Sequence, residues 1–173
     1  MSPQQPYPYR PGGPGGQRQE SGFRQGGGPS PRNDRQEEPS RLSQADLGRI
    51  VFEPLPPDIF SDIANNAAEV VSQTSKNKRT QIRKFYDELV MWNDRIQFRQ
   101  SDSERNALYK ESEPFIRMLK AKVTYAKGRD HVDETFLKLF SRCIDQITSV
   151  ETLKRGKLFM EAFMGYYRVY GKD

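Results

Sequence analysis

The strongest constraint on the fold of this chain is a helical repeat of apolar side chains that starts near residue 58 and runs to residue 170. Within the segment 77–98, five large apolar residues fall on one side of a helix. They are Ile82, Phe85, Leu89, Trp92 and Ile96. From residue 50 onward, no segment alternates apolar and polar side chains as a half-buried strand would. The pattern therefore predicts an all-α fold, a compact bundle of about five main helices.

The main helices have predicted bounds of 58–73, 77–98, 114–127, 133–148 and 150–170. A short helix from Ser43 to Ile50 is expected in addition, because Ser43 and Asp46 have capping-box spacing. The polar segment 99–113 is predicted to be a short helix or a mobile connection. Pro114 is expected to start the next helix, since proline is tolerated in a first turn.

Local signals also predict helix ends and core positions. Gly128 is expected just after the third main helix, and Asp133 is expected to cap the fourth. Thr148 and Glu151 have the spacing of a capping box for the last helix. Phe115 and Met118 are predicted to be buried. The aromatic side of the last helix is also predicted to be buried, and its tyrosines near the chain end could in addition contact another subunit. That side consists of Phe159, Phe163, Tyr166, Tyr167 and Tyr170.

The start of the chain has a different composition. Residues 1–35 hold eight glycines and seven prolines, and their only large apolar residues are Met1, Tyr7, Tyr9 and Phe23. So little apolar surface cannot offset the entropy lost on ordering. Residues 1–41 are therefore expected to be a disordered tail, and residues 42–173 a helical-bundle domain.

Composition also excludes several classes of protein. Cys143 is the only cysteine, which excludes an intrachain disulfide and a multi-cysteine zinc site and favours a reducing compartment. The N-terminus lacks the apolar core of a secretory signal, and no apolar run is long enough to cross a bilayer. We therefore expect a soluble, cytoplasmic protein with no membrane partner.

One group of residues resembles a metal site. His131 is surrounded by Asp130, Asp133 and Glu134, and histidine with carboxylates can bind a metal for phosphodiester cleavage. The same residues are typical of a turn between helices, and no second cluster occurs to complete a site. Cys143 is on the core side of its helix, and no glycine-rich phosphate loop occurs. No catalytic residue, metal or cofactor is expected.

Five cations, with no acidic residue among them, lie where the helix 77–98 is expected to start. They are Lys76, Lys78, Arg79, Arg83 and Lys84. A helix N-terminus carries partial positive charge and unpaired N–H groups, so cations there are unfavourable unless an anion compensates. Phosphate suits such a site, and the cluster therefore predicts a nucleic-acid contact. The alternatives are pairing with Asp87 and Glu88, or a continuous helix with no N-terminus at this point.

A second basic run without acidic residues spans residues 117–129. Its candidate RNA-binding residues are Lys120, Lys122, Tyr125, Lys127 and Arg129. Cations near a helix C-terminus are favoured by the dipole in any case, so an ordinary solvated surface is the alternative. Lys122 and Arg129 are expected on the same side as Phe115 and Leu119, where a charge needs a partner. The RNA interpretation of both runs requires the cations to share a surface rather than to be neutralised by neighbouring carboxylates.

Two segments carry a resemblance to a known family. They are KRTQIRKFY at residues 78–86 and FIRMLKAKVTYAKGR at residues 115–129. Both resemble the small subunit of the type III-A (Csm) CRISPR interference complex, and the closing helix from Val150 through Tyr167 fits the same family. The resemblance covers about residues 50–173 and does not extend to the glycine- and proline-rich start.

The resemblance implies a non-catalytic helical subunit, present in more than one copy, that lies beside other effector subunits and lines the channel for guide RNA and target RNA. Contacts would be to the RNA backbone, because base pairing with the guide supplies the sequence specificity. The residues implied to face RNA are Arg79, Arg83, Lys120, Lys122, Lys127 and Arg129. Two other functions remain open: a DNA-binding helical regulator, which needs a helix-turn-helix, and a protein-binding adaptor with a merely basic surface.

Overall fold

The computed structural model describes residues 39–171 and confirms the all-α prediction within that range. Seven α-helices and one π-helical turn follow one another, and the described residues contain no β-strand. Their bounds are α1 Gln44–Gly48, the π-helical turn Ile59–Ile63, α2 Ala64–Ser72, α3 Arg79–Gln97, α4 Asp102–Arg117, α5 Leu119–Gly128, α6 Glu134–Asp145 and α7 Val150–Tyr170. None of the described helices is both long and apolar enough to span a membrane.

The last helix, α7, packs against much of the bundle. Its contacts extend to α2, α3, α4 and the π-helical turn, while α5 packs mainly against α6. Buried rings join α3, α6 and α7: the centroid of Phe136 lies 5.8 Å from that of Phe85 and 6.3 Å from that of Phe163. Phe163 in turn stacks with Tyr167 at 5.5 Å. The aromatic side of α7 is therefore largely core, as predicted, although Tyr170 remains 38% exposed.

Two predicted helix caps are confirmed. The Ser43 hydroxyl accepts a hydrogen bond from the Asp46 N–H at 3.0 Å, and the Asp46 carboxylate accepts one from the Ser43 N–H at 3.2 Å. This capping box starts α1. Asp133 caps α6 by accepting from the Phe136 N–H at 2.9 Å.

The segment 99–113 belongs largely to α4, which is longer than predicted. The Ser101 hydroxyl accepts from the Glu104 N–H at 3.2 Å, and the Glu104 carboxylate accepts from the Ser101 N–H at 3.4 Å. The prediction that Pro114 starts a helix is wrong, because α4 continues through it and the break comes at Met118. An interior proline removes one backbone hydrogen bond, and tertiary packing compensates for that loss here.

Because α4 continues through the proline, its inward residues differ from those predicted. The inward side carries Tyr109, Ser112 and Ile116. Phe115 and Met118, which were predicted to be buried, are 51% and 47% exposed. The prediction was wrong because it placed both residues in the register of a helix starting at the proline.

The predicted end of α5 is also corrected. Gly128 is the last helical residue, and Asp130 takes the left-handed conformation with φ of 56°. The His131 N–H donates to the Ala126 carbonyl at 3.0 Å, and the Asp130 N–H donates to the Lys127 carbonyl at 3.0 Å. These two bonds form a Schellman motif, in which aspartate tolerates the left-handed position better than most residues.

The predicted capping box of Thr148 and Glu151 is wrong by one residue. Ser149 is the N-cap residue of α7, and its hydroxyl accepts from the Thr152 N–H at 3.1 Å. The Thr152 hydroxyl accepts in return from the Ser149 N–H at 2.8 Å. A threonine thus takes the place that the prediction gave to glutamate.

The predicted tail, residues 1–41, lies outside the described residues except for its last three. Within those three, the Arg41 N–H donates to the Thr135 hydroxyl at 3.0 Å, and the Arg41 guanidinium pairs with Asp133. Leu42 is buried. The packed bundle therefore already includes Arg41.

Candidate nucleic-acid interface

The start of α3 is a helix N-terminus without an acidic residue in its first turn. Because α2 ends at Ser72 and α3 begins at Arg79, the alternative of one continuous helix is wrong. The N-cap residue, Lys78, is extended, and no side chain caps the helix. Cations thus lie at the positive end of a helix dipole, as the sequence predicted.

Asn77 fixes the loop that carries the first basic residues. Its side chain is buried, and its Nδ2 donates to the Val71 carbonyl at 3.0 Å. Its Oδ1 accepts from the Asp133 N–H at 2.8 Å. The Asn77 carbonyl accepts from the Tyr167 hydroxyl. Contacts to the end of α2, the start of α6 and α7 therefore hold the loop against the bundle.

A groove of about 650 Å³ opens between α3 and α7. Cations line it from both helices: Arg79, Arg83 and Lys84 from α3, and Arg168 from α7. The acidic residues among the described lining residues are Asp87 and Glu161. Four cations against two carboxylates leave a net charge of +2. The described lining of the groove is therefore net basic, and it includes the apolar side chain of Met164.

Arg83 is only loosely engaged by a carboxylate. Arg83 Nε lies 3.3 Å from Asp87 Oδ1, and the two side chains are 63% and 54% exposed. The Arg83 guanidinium also lies 6.0 Å from the centroid of the Tyr86 ring. Burial and the nearby Glu161 carboxylate raise the pKa of the Tyr86 hydroxyl, so it is a neutral hydrogen-bond donor at pH 7. Glu161 itself pairs with Lys157, and that hydrogen bond raises the pKa of the lysine.

Exposed ion pairs of this kind contribute about 0 to 1 kcal/mol, because water screens them and ordering long side chains costs entropy. Phosphate oxygens make stronger, often bidentate, hydrogen bonds to guanidinium groups. A polyanion can therefore displace Asp87 from Arg83. Lys84 makes no ion pair with any residue that the structure describes, so it can meet an anion without breaking one.

The structure brings together three residues of the first predicted cluster, Arg79, Arg83 and Lys84. Lys76 and Lys78 lie in the loop before α3 and do not line the groove. The Lys76 ammonium lies 3.7 Å from Asp130. The alternative that the cluster pairs with Asp87 and Glu88 is correct for Arg83, which pairs with Asp87, whereas Glu88 pairs with Lys122 of α5.

Arg168 is a groove residue that sequence reasoning missed. It lies in the last turn of α7, where the helix dipole favours a cation in any protein. Nothing in its local sequence distinguishes it from a solvated arginine. Only the packing of α7 against α3 places it beside Arg79 and Arg83.

The second predicted cluster divides between two sides of α5. Lys120 and Lys127 are seven residues apart and share one side. Lys120 Nζ lies 2.6 Å from Asp145, and Lys127 Nζ lies 3.4 Å from Glu134, so both engage carboxylates of α6. These two lysines therefore join α5 to α6.

The other members of that cluster are Lys122, which reaches α3, and Arg129 and Tyr125, which contact each other. Lys122 is roughly 200° around the helix from the α6 side, and its Nζ lies 2.5 Å from Glu88 of α3. Arg129 Nη1 donates to the Tyr125 hydroxyl at 3.1 Å, with the guanidinium 5.7 Å from the ring centroid. Lys122 and Arg129 are exposed whereas Leu119 is buried, so the expectation that they lie on its side of the helix is wrong, although each has a side-chain partner.

The residues around His131 have structural partners. Asp130 forms the left-handed turn, Asp133 caps α6 and pairs with Arg41, and Glu134 pairs with Lys127. Residues 39–171 contain no group of three or more His, Cys, Asp or Glu side chains that could hold a metal ion. Cys143 is fully buried, and burial raises the pKa of its thiol well above the ordinary value.

Comparison with known proteins identifies a family for this chain. A family model described as Csm2 Type III-A matches residues 56–173, which is more than half of the chain. No curated protein and no solved structure gives a significant match. The helical bundle with its basic groove therefore belongs to the Csm2 family, the small subunit of type III-A CRISPR complexes.

Proposed function

We propose that this chain holds RNA by its sugar–phosphate backbone in the groove between α3 and α7, as a non-catalytic subunit of a type III-A CRISPR effector. Guide RNA and target RNA are the proposed ligands. Other effector subunits and additional copies of the chain are the proposed protein partners, in the cytoplasm. The observation that carries the proposal is the convergence of cations from two helices on one groove beside an uncapped helix N-terminus.

Backbone contacts are the chemistry that this groove can supply. Guanidinium and ammonium groups bind phosphate whatever the base, so they position a nucleic acid without reading its sequence. The major groove of A-form RNA is too deep and narrow for side chains to read, which leaves phosphates and 2′-hydroxyls as accessible groups. The neutral Tyr86 hydroxyl beside Arg83 can donate to either.

A protein-binding adaptor is the second candidate function. Its support is that several predicted RNA-binding cations already engage carboxylates, above all Lys120 and Lys127 on the α6 side of α5. If the chain is an adaptor, the groove cations only maintain solubility. Removing them would then change neither the affinity for RNA nor the dependence of that affinity on salt. The two functions therefore differ in a measurable way.

The test compares type III-A complexes assembled with the wild-type chain and with the groove variant Arg79→Ala, Arg83→Ala, Arg168→Ala. We expect the groove variant to bind target RNA at least about ten-fold more weakly at moderate salt. The slope of log affinity against log salt concentration should become shallower by about 2 to 3, since each lost phosphate contact removes about one unit. Filter binding over a salt series measures both quantities.

The matched control is Lys110→Ala, Lys138→Ala, Lys154→Ala, which also removes three cations, none of which lines the groove. Circular dichroism of each chain checks that helix content is unchanged. If the groove variant and the control bind RNA alike, with the same salt slope, the groove is not an RNA site and the adaptor function is favoured. Tighter binding to duplex DNA than to RNA would favour a DNA-binding regulator.

A further inference from the structure

Two adjacent carboxylates directly precede the described part of the chain. Glu37 and Glu38 come immediately before Pro39, where the described residues begin. Gln36 before them is uncharged, and the next charged residue after them is Arg41. The acidic pair, Glu37 and Glu38, therefore brings a charge of −2 to the point at which the chain joins the bundle.

The bundle holds the chain firmly just after the acidic pair. The Arg41 N–H donates to the Thr135 hydroxyl at 3.0 Å, and the Arg41 guanidinium pairs with Asp133. The next residue, Leu42, is only 4% exposed. The acidic pair lies three and four residues before this anchor. Even a fully extended chain of that length spans at most about 14 Å, so the two carboxylates stay close to the start of α6.

The anchor lies beside one end of the groove between α3 and α7. The Asp133 N–H donates to Asn77 Oδ1 at 2.8 Å, and the Asn77 carbonyl accepts from the Tyr167 hydroxyl. Asn77 comes two residues before Arg79. Tyr167 directly precedes Arg168. These two arginines line the groove, so a short series of hydrogen bonds connects the anchor of the acidic pair to the arginine end of the groove.

Charge complementarity favours the groove over other cations at this end of the bundle. The Lys76 ammonium lies 3.7 Å from Asp130, and that of Lys127 lies 3.4 Å from Glu134. The described lining of the groove instead has a surplus of two positive charges, and Arg168 is exposed. Two carboxylates match that surplus, and a guanidinium can bind a carboxylate through two hydrogen bonds.

We infer that the acidic pair docks on Arg79 and Arg168 within the same chain, and that RNA must displace it to enter the groove. Docking stands independently, whereas the competition rests on the proposed function, since it requires RNA in the groove. Exposed ion pairs are individually weak. A tether of a few residues gives the pair a high effective concentration, so weak contacts suffice to fill the groove for much of the time.

The device selects for long polyanions. A bound RNA strand places several phosphates along the groove and gains from the release of their counterions, so it can displace two carboxylates. A mononucleotide or a short oligomer lacks that gain. The acidic pair therefore protects the groove from small anions and leaves it open to extended RNA.

Docking is measured without RNA by a spin label. Cys143 is fully buried, so a label reacts with the cysteine of Gln36→Cys. In NMR spectra of the full-length chain at low salt, the label should broaden the amide signals of Thr80 and Gly165, which line the groove. The amide of Asp102, beyond the far end of α3, should stay sharp.

Two changes should remove most of this broadening. The first is Glu37→Gln with Glu38→Gln, the acid-free variant, which keeps the tether and removes its charge. The second is about 1 M salt, where the screening length falls to about 3 Å. Broadening that neither change affects reflects the short tether alone and overturns docking. Broadening of an unlabelled, isotope-enriched chain mixed with a labelled one shows a contact between copies and overturns docking within the chain.

Competition is measured with the same filter-binding assay of assembled complexes. At low salt the acid-free variant should bind RNA about three-fold more tightly, because a groove that is open for about a third of the time has an apparent affinity lowered by that factor. The matched control is Glu69→Gln with Glu111→Gln, which removes two exposed carboxylates of α2 and α4 that do not line the groove. Its effect should be much smaller.

The groove variant separates failure of this inference from failure of the proposed function. Added to the groove variant, the two glutamine substitutions should no longer change RNA affinity, since their effect acts through the groove arginines. If the groove variant weakens RNA binding but the acid-free variant behaves like its control, competition is overturned and the groove remains an RNA site. If the groove variant binds RNA normally, the proposed function and the competition both fail, and the broadening alone decides whether the acidic pair docks.

Discussion

Gly156 illustrates how a single residue position supports this bundle, because the loop between α1 and the π-helical turn packs directly against α7 there. A Cβ atom at residue 156 would lie 3.0 Å from Cε2 of Phe52 and 3.3 Å from Cδ1 of Ile147. Both neighbours are fully or almost fully buried, so neither has free space to move into. The absence of a side chain therefore permits the close approach of helix and loop.

We predict that Gly156→Ala destabilises the chain by about 1 kcal/mol, because overpacking outweighs the gain in helix propensity. Gly165→Ala, in the same helix, is the matched control, since a Cβ there meets nothing within 4 Å. That substitution should stabilise the chain by up to about 1 kcal/mol. Urea denaturation followed by circular dichroism measures both changes. Two stabilising substitutions would show that Phe52 can give way.

At the scale of elements, the loop between α2 and α3 controls where the basic helix N-terminus lies. Asn77 binds a carbonyl of α2 and the N–H of the residue that caps α6, and its own carbonyl binds the Tyr167 hydroxyl of α7. A buried amide with these partners orients the loop more firmly than exposed lysine side chains could. The cations at the start of α3 are therefore positioned by uncharged contacts.

Asn77→Ala should destabilise the chain by about 2 to 3 kcal/mol, because it leaves a buried carbonyl and a buried N–H without partners. The matched control is Asn106→Ala on the exposed side of α4, for which a change within about 0.5 kcal/mol is expected. Urea denaturation midpoints of the two variants and the wild type give the comparison. Equal midpoints for both variants would show that water replaces the lost side chain.

At the scale of the whole molecule, stability is linked to pH through buried tyrosines. Burial raises the pKa of Tyr109 and Tyr86, and it raises the pKa of Tyr167 to about 12. A group whose folded pKa is raised contributes stability that is fully present below the unfolded pKa and is lost as pH rises through the folded value. The folded state should therefore lose stability between about pH 10 and pH 12.

Tyr167→Phe isolates the largest of these contributions. Near neutral pH the variant should be less stable by about 1 to 2 kcal/mol, because the hydrogen bond to the Asn77 carbonyl is lost. Between about pH 10 and pH 12, the free energy of unfolding of the variant should fall less steeply than that of the wild type, with a difference of up to roughly 2 to 3 kcal/mol over this range. Denaturation curves at pH 8, 10 and 12 test this. Parallel pH profiles of variant and wild type would show that Tyr167 does not titrate with unfolding.

The sequence by itself determined the elements of this protein. Three features depend on residues within about one turn of one another, so a short stretch of sequence is enough to predict them. They are the helical periodicity, the caps at Ser43 and Asp133, and the start of α3 without an acidic residue. The same locality explains the errors. At Pro114 a local rule predicted a break, whereas α4 continues through the proline to Arg117.

Only the tertiary structure decided which charged groups meet. Arg168 joins Arg79 and Arg83 because α7 packs against α3, and Lys120 and Lys122 separate because they lie on different sides of α5, where Lys120 reaches Asp145 of α6 and Lys122 reaches Glu88 of α3. The stacking of Trp92 on Phe115 has the same origin. Burial of apolar surface over the whole core determines which helices pack together. This burial is non-directional and couples residues far apart in the chain. Surface cations contribute little to that choice, so their own pattern could not reveal it.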